Sequence, residues 1–212
     1  MGQTSLIYRD IKFDSDEEFY VACWLQELKE AGHVIKWRRS KTPIPLTEGI
    51  KIQYVKTTHL KTKVKHETKT KEILKPSEYT PDFEALFGPG PFLSLIWENA
   101  KPDALFYTND FPKAWLEVKP SFDQNNMERL FKNNQKFVWD KHRIFVNLCE
   151  PVELFRKTFM PKDCAEYFKY KKSPTGKNKG KKGPGDWKFD WVPRTLTEYI
   201  AICTTLHSTT EQ

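Results

Sequence analysis

The run Ala114-Trp115-Leu116-Glu117-Val118-Lys119-Pro120 constrains this chain more than any other stretch. Apolar residues lead into an acid, a valine and a lysine, and a proline ends the run. In a strand, positions i and i+2 point to the same face. Glu117 and Lys119 therefore project together, at the end where Pro120 stops the ladder. A carboxylate and an ammonium fixed side by side at a strand end suit the holding of a divalent cation and the polarising of a water. A surface salt bridge on an edge strand is the plainer use of the same pair. The tripeptide alone does not separate the two.

Upstream, Ser15 followed by Glu18 forms a capping-box pattern. It predicts a helix from about Asp16 to Ala31, with Gly32 as its stop. Glu18, Val21, Ala22 and Leu25 fall on one stripe of that helix. Glu18 thus sits at the head of the core-facing side, either closing the cap or serving a site. Glu17 shares a stripe with Val21, Trp24 and Leu28 and competes for the role.

The pattern then changes to period two. Val34 to Trp37 reads as a strand, Arg38 to Leu46 as a loop, and Ile50 to Leu74 as one long strand or a hairpin. Lys61, Lys63, Lys65, Lys69 and Lys71 occupy odd positions, and residues 51–75 hold eight lysines against two acids. Such a face is either a guarded sheet edge or a track for phosphates.

In Tyr79-Thr80-Pro81-Asp82-Phe83, Pro81 opens a strand that buries Phe83, Ala85 and Phe87 or their alternates. Phe92 to Trp97 reads as a further strand. A second Pro-Asp pair, Pro102-Asp103, leads into Ala104 to Tyr107. Beyond Pro120, Ser121 and Gln124 offer another capping box, with a helix from about Asp123 to Trp139. Arg143 to Leu148 reads as a strand that Val152 to Phe155 continues. Trp187 to Val192 reads as a strand, and Thr195 to Leu206 as a closing helix. Between them, residues 169–182 carry seven lysines and no acid. That segment reads as a flexible basic loop.

A length of 212 residues suits one domain with embellishments. Fifteen Phe, eight Tyr and seven Trp supply the core of a chain that is only 38% hydrophobic. The net charge of +7 favours a polyanionic partner, nucleic acid before an acidic membrane surface, over a merely basic protein. Cys23, Cys149, Cys164 and Cys203 form no CxxC pair, which argues against zinc. Met1 to Asp10 lacks a signal-peptide core, and no apolar run approaches the roughly 20 residues that span a bilayer. The expectation is a reduced, intracellular, cytoplasmic protein with free thiols and no membrane partner.

The ordered set Glu18, Pro81-Asp82, Glu117-Val118-Lys119 and Gln135-Lys136-Phe137-Val138-Trp139 resembles the PD-(D/E)xK nuclease superfamily, over roughly residues 13–148. That superfamily includes restriction endonucleases, RecB-type exonucleases, Holliday-junction resolvases and small phage nucleases. Glu18 matches the acid on the first helix of resolvase-like members. Gln135 heads a stretch like the Q-x-x-x-Y element of RecB-like members, with Trp139 in place of Tyr. The resemblance implies an α/β fold with a restriction-endonuclease-like αβββαβ core at about residues 1–160, a mixed central sheet flanked by helices. A basic C-terminal extension would cover 161–212.

One spacing departs from the pattern. Asp82 lies 35 residues before Glu117, whereas Asp103 lies 14 before it, a gap that suits a direct hairpin. The Tyr-Thr-Pro-Asp-Phe context favours Asp82, with about 88–113 as an insertion, and leaves Asp103 as its alternative. The implied chemistry is Mg²⁺-dependent hydrolysis of DNA phosphodiesters, with Mn²⁺ as a substitute. Asp82 and Glu117 hold the metal, helped by the Val118 carbonyl and by Glu18 directly or through water. Lys119 positions the attacking water or stabilises developing charge, acting as a base only if its pKa is depressed. Gln135 orients the site or a phosphate, or is a helix-surface residue.

Lys61, Lys63, Lys65, Lys69 and Lys71, with Lys171, Lys172, Lys177, Lys179, Lys181 and Lys182, meet backbone phosphates without reading sequence. The expectation is a deoxyribonuclease of low sequence specificity, such as a junction- or branch-cutting endonuclease of a bacterial or phage-infected cell. RNA stands as an alternative substrate. A homodimer fits because two strands need two sites. A non-catalytic nucleic-acid-binding protein of the same fold is the competing reading.

Overall fold

The computed structural model describes residues 7–88, 113–120, 127–170 and 185–210. A small hairpin of β1 (Ile7–Tyr8) and β2 (Ile11–Lys12) precedes helix α1 (Asp16–Glu30). Strands β3 (Val34–Arg39), β4 (Ile44–Thr47), β5 (Ile50–His59), β6 (Val64–Leu74), β7 (Ser77–Tyr79) and β8 (Phe83–Phe87) follow. Then come β9 (Lys113–Val118), α2 (Met127–His142), β10 (Val146–Cys149), α3 (Pro151–Lys157) and α4 (Leu196–Thr210).

Helix α1 begins and ends where its sequence dictates. The Glu18 amide donates to Ser15 Oγ at 3.1 Å. At the other end Gly32 takes φ +81°. The His33 amide then reaches Leu28 O at 2.9 Å, and the Gly32 amide reaches Lys29 O at 3.1 Å. This double closure needs a left-handed residue at position 32.

The central sheet has the order β10-β9-β8-β3. Strands β3, β8 and β9 form an antiparallel set, and β10 runs parallel to β9. A parallel pair needs a long crossover, and α2 lies in the one between β9 and β10. The fold is therefore α/β, with a mixed sheet between helices.

Period two divides the sheet's side chains between two cores. Phe83, Ala85, Phe87, Ala114, Leu116 and Val118 pack with the buried face of α1, which includes Trp24, Leu25 and Leu28. Phe155, Phe159, Cys164, Leu196, Tyr199 and Cys203 complete that core, so residues on both sides of position 160 build it. On the opposite face Trp115 and Val146 meet Phe131 and Val138 of α2, together with Ile44, Leu46 and Tyr79. The four cysteines are buried and form no disulfide with one another. Among the described residues no helix is long and apolar enough to cross a membrane.

Several local readings need correction. Ile44–Thr47 is not loop but strand β4, paired antiparallel with β7. Val152 to Phe155 does not extend a strand; it lies in α3, whose first residue is Pro151. Proline is well suited to that position, and a short apolar run is ambiguous between the two states. Trp187 makes a single bridge to Lys169, and the region to Val192 has no strand. Its aromatics are satisfied instead by ring packing, Phe189 on Trp191 at 4.4 Å. Ile50 to Leu74 is a hairpin of β5 and β6. The expected strands at 92–97 and 104–107 and the cap at Ser121 lie outside the described residues.

Phe83 is fully buried between α1 and the sheet, whereas Thr68 is exposed on β6. Phe83→Ala should lower unfolding free energy by about 3–5 kcal/mol. Thr68→Ala should change it by less than about 0.5 kcal/mol. Urea denaturation followed by tryptophan fluorescence measures both.

Candidate functional site at one end of the central sheet

Four elements end or begin at one rim of the sheet. The register pairs Phe83 with Leu116. Continued by one residue, it sets Asp82 opposite Glu117 on the same face. Asp82 Oδ2 accepts the Val118 amide at 2.6 Å. The Asp82 carbonyl accepts the Ser40 amide at 2.9 Å, just beyond the end of β3. The Lys119 amide donates to Cys149 O at 3.0 Å, which fixes that residue against the end of β10.

Glu117 is only 7% exposed. One of its oxygens accepts the Tyr79 hydroxyl at 2.6 Å. The other accepts Lys119 Nζ at 2.5 Å. These donors offset the cost of taking a carboxylate out of water. The i, i+2 spacing of the two charged residues is what lets the ammonium reach its neighbour.

Glu18, from the first turn of α1, is buried. It meets Arg39 at 2.9 Å, and Arg39 also holds Asp14 at 2.7 Å. Glu18 Oε2 takes the Asp14 amide at 3.5 Å, so the acid reaches back past its own cap. Burial pushes the Glu18 carboxyl up, against the pull of the Arg39 guanidinium. Its field reaches Asp82, and the field of Lys119 reaches it in turn.

Asp82 carries the largest consequence. Burial first, then the Glu117 charge, push its carboxyl from 3.8 up to about 7, while the Val118 amide and Lys119 oppose the shift. Burial, with the Glu117 carboxylate beside it, also pushes the Tyr79 phenol up. The rim thus holds acids in excess of their local compensation. Beside Asp82, the Ser40 hydroxyl is buried with no hydrogen-bond partner among the described residues. An excess of oxygen ligands is what a hard divalent cation requires. Among the described residues no group of three or more His, Cys, Asp or Glu side chains is arranged so as to hold a metal ion. The acids nearest to sharing an ion are Asp82 and Glu117, with Glu18 engaged by Arg39.

Asp82, Glu117, Val118 and Lys119 therefore come together, and Glu18 stands at the edge of the same cluster. Glu17 is half-buried where Glu18 is buried. Gln135 is not brought to the acids by any bond; its Nε2 donates to Val146 O at 2.6 Å and ties α2 to β10. Lys61 and Lys63 lie in the turn between β5 and β6, and Lys65, Lys69 and Lys71 lie on β6. Asp103, residues 89–112 of the insertion expected at about 88–113, and Lys171, Lys172, Lys177, Lys179, Lys181 and Lys182 lie outside the described residues.

Tyr79, Arg39 and Ser40 escaped the reading of the sequence. Tyr79 did leave a trace. A tyrosine before a buried strand needs a partner for its hydroxyl. Arg39 left none, because its contacts to Asp14 and Glu18 lie over twenty positions away.

A carboxyl held above its unfolded pKa binds its proton more tightly in the native state. The native state therefore loses stability as the pH rises from about 4 to about 7. In EDTA, Asp82→Asn should gain thermal stability relative to wild type across that interval, by about 5 °C. Thermal melts at half-unit pH steps read the difference. Comparison of the chain with family models, with curated proteins and with solved structures gives no match.

Proposed function

We propose that this chain is a divalent-metal-dependent deoxyribonuclease of the PD-(D/E)xK type, working at the rim formed by Asp82, Glu117 and Lys119. The observation that carries the reading is the pairing of a buried acid, Glu117, with a half-buried one, Asp82, 35 residues apart in sequence and opposite one another beside an ammonium. Lys119 supplies one positive charge to two acids, and a divalent cation would supply the remainder. The element order α1, β3, β8, β9, α2, β10, with its antiparallel triplet and parallel fourth strand, supports the restriction-endonuclease-like core.

Asp82 and Glu117 would hold Mg²⁺ or Mn²⁺, with the Val118 carbonyl as a further oxygen. Such an ion lowers the pKa of a bound water and polarises a scissile phosphate. The protein's own residues prepare for that. Tyr79 fixes one oxygen of Glu117 and so orients the carboxylate. The Val118 amide orients Asp82 in the same way. Lys119 brings a positive charge to the position where phosphate charge develops. Arg39 pairs with Glu18 on the α1 side of the site, and Glu18 adds to the negative field at Asp82. Positioning by such neighbours commonly contributes ten- to a hundredfold.

A second reading, a binding protein without catalysis, draws support from Glu117, whose two oxygens are both already engaged by Tyr79 and Lys119. A cleavage panel separates the two. Supercoiled, linear, single-stranded and four-way-junction DNA are incubated with Mg²⁺, Mn²⁺ or EDTA. Wild type should cut with either metal and not in EDTA. Asp82→Asn, Glu117→Gln and Lys119→Ala should each lose about a hundredfold or more, and Tyr79→Phe about tenfold. Asp103→Ala should cut as wild type does. Uncut DNA under every condition favours the binding reading, and cutting by Asp82→Asn at the wild-type rate rejects the assigned acid.

A further inference from the structure

The β5–β6 hairpin makes no use of its length within the described fold. Every residue from Ile50 to Leu74 is exposed except Thr58 and Glu67, which are half-buried. A two-stranded ribbon is marginal in water on its own. This one nevertheless carries Ile52, Tyr54, Val55, Val64 and Ile73 in the open.

Its register sorts charge by face. Directly opposed residues share a face. On one side Ile52 opposes Lys71, Tyr54 opposes Lys69, Lys56 opposes Glu67, and Thr58 opposes Lys65. Four lysines and one acid thus lie on a single surface. Glu67 sits between Lys65 and Lys69 and pairs with both. On the other side Lys51 opposes Glu72, and the remaining pairs, from Gln53–Thr70 to His59–Val64, hold no Lys, Arg, Asp or Glu. Charges placed only to keep an edge soluble have no reason to avoid one face. Charges placed for a polyanion do.

The ribbon's size and attachment narrow the partner. Ten cross-strand pairs span about 30 Å, close to the roughly 34 Å of one turn of B-form DNA. The major groove of that duplex admits a two-stranded ribbon. The deep, narrow major groove of duplex RNA does not. The ribbon is rooted in the β4–β7 pair, whose Tyr79 donates to Glu117. Its base is therefore fixed to the acidic rim by a hydrogen bond.

We propose that the Lys56–Lys65–Lys69–Lys71 face of this ribbon lies in the major groove of B-form duplex DNA, along about one helical turn beginning at the Asp82–Glu117 rim. The ribbon selects double-stranded DNA and holds it while the rim acts. The proposal rests on the nuclease reading for what happens to the bound duplex, not for the binding itself.

Binding is measured in EDTA by fluorescence anisotropy, on a 24-base-pair DNA duplex, the same sequence as duplex RNA, and one DNA strand, between 50 and 200 mM salt. The full chain should prefer the DNA duplex over both others by tenfold or more. Changing Lys56, Lys65, Lys69 and Lys71 together to Gln should flatten the salt slope by about 3 to 4 and weaken binding at least a hundredfold. The opposite-face variant, Lys51→Gln with His59→Gln and His66→Gln, should flatten the slope by less than about 1. Dimethyl sulfate should find guanine N7 protected over about one turn, and circular dichroism should show both variants folded. A quadruple variant that binds with the wild-type slope, equal affinity for duplex RNA, or protection confined to adenine N3 in the minor groove overturns the proposal. Duplex binding as expected in a chain that cuts nothing with Mg²⁺ upholds the ribbon and removes the nuclease reading. Cutting by wild type alongside an unchanged quadruple variant does the reverse.

Discussion

The structure turns on two carboxyl groups facing each other in a place where water is scarce. Asp82 and Glu117 come from different strands, and each must be supplied with donors before the sheet can close over them. The Val118 amide, the Tyr79 hydroxyl and Lys119 are those donors. Their geometry depends on the register of β8 and β9. A slip of one residue would turn Leu116 toward Tyr79 and drive Glu117 into the α1 core. The alternation Ala114, Leu116, Val118 against Trp115, Glu117 opposes that slip, because each set has its own apolar or polar surroundings.

The rim also lies where the two cores meet. From the α1 side come Glu18 and, at the end of β3, Arg39. From the α2 side comes Tyr79, packed with Trp115, Phe131 and Val138. Neither helix alone sets the electrostatics. The field at Asp82 combines Glu117 and Lys119 of β9 with Glu18 of α1. A change in packing on either face is therefore felt at the same carboxyl.

The parts legible in the sequence are those whose cause is local. The Ser15–Glu18 cap, the Gly32 stop and the same-face placement of Glu117 and Lys119 each depend on residues a few positions apart. The Pro81-Asp82 step could be located, yet only the register shows that it opposes Glu117. Arg39, Ser40 and the hydroxyl of Tyr79 belong to contacts across long separations, which no local spacing encodes. Strand β4 was hidden for a related reason. Its Ile-Pro-Leu-Thr sequence looks like loop, and its pairing with β7 is made 30 residues downstream. Short apolar runs such as Val152 to Phe155 carry no reliable period at all.

The core beneath α1 has an implication for how the molecule is made. Trp24 of α1 stacks on Phe159, and Phe159 lies against Tyr199 in α4. The hydrophobic face of α1 is thus covered by side chains that lie more than 130 positions further along the sequence. Until Tyr199 is in place that face has only part of its cover. A truncation before α4 would therefore strip cover from a helix at the other end of the fold's core.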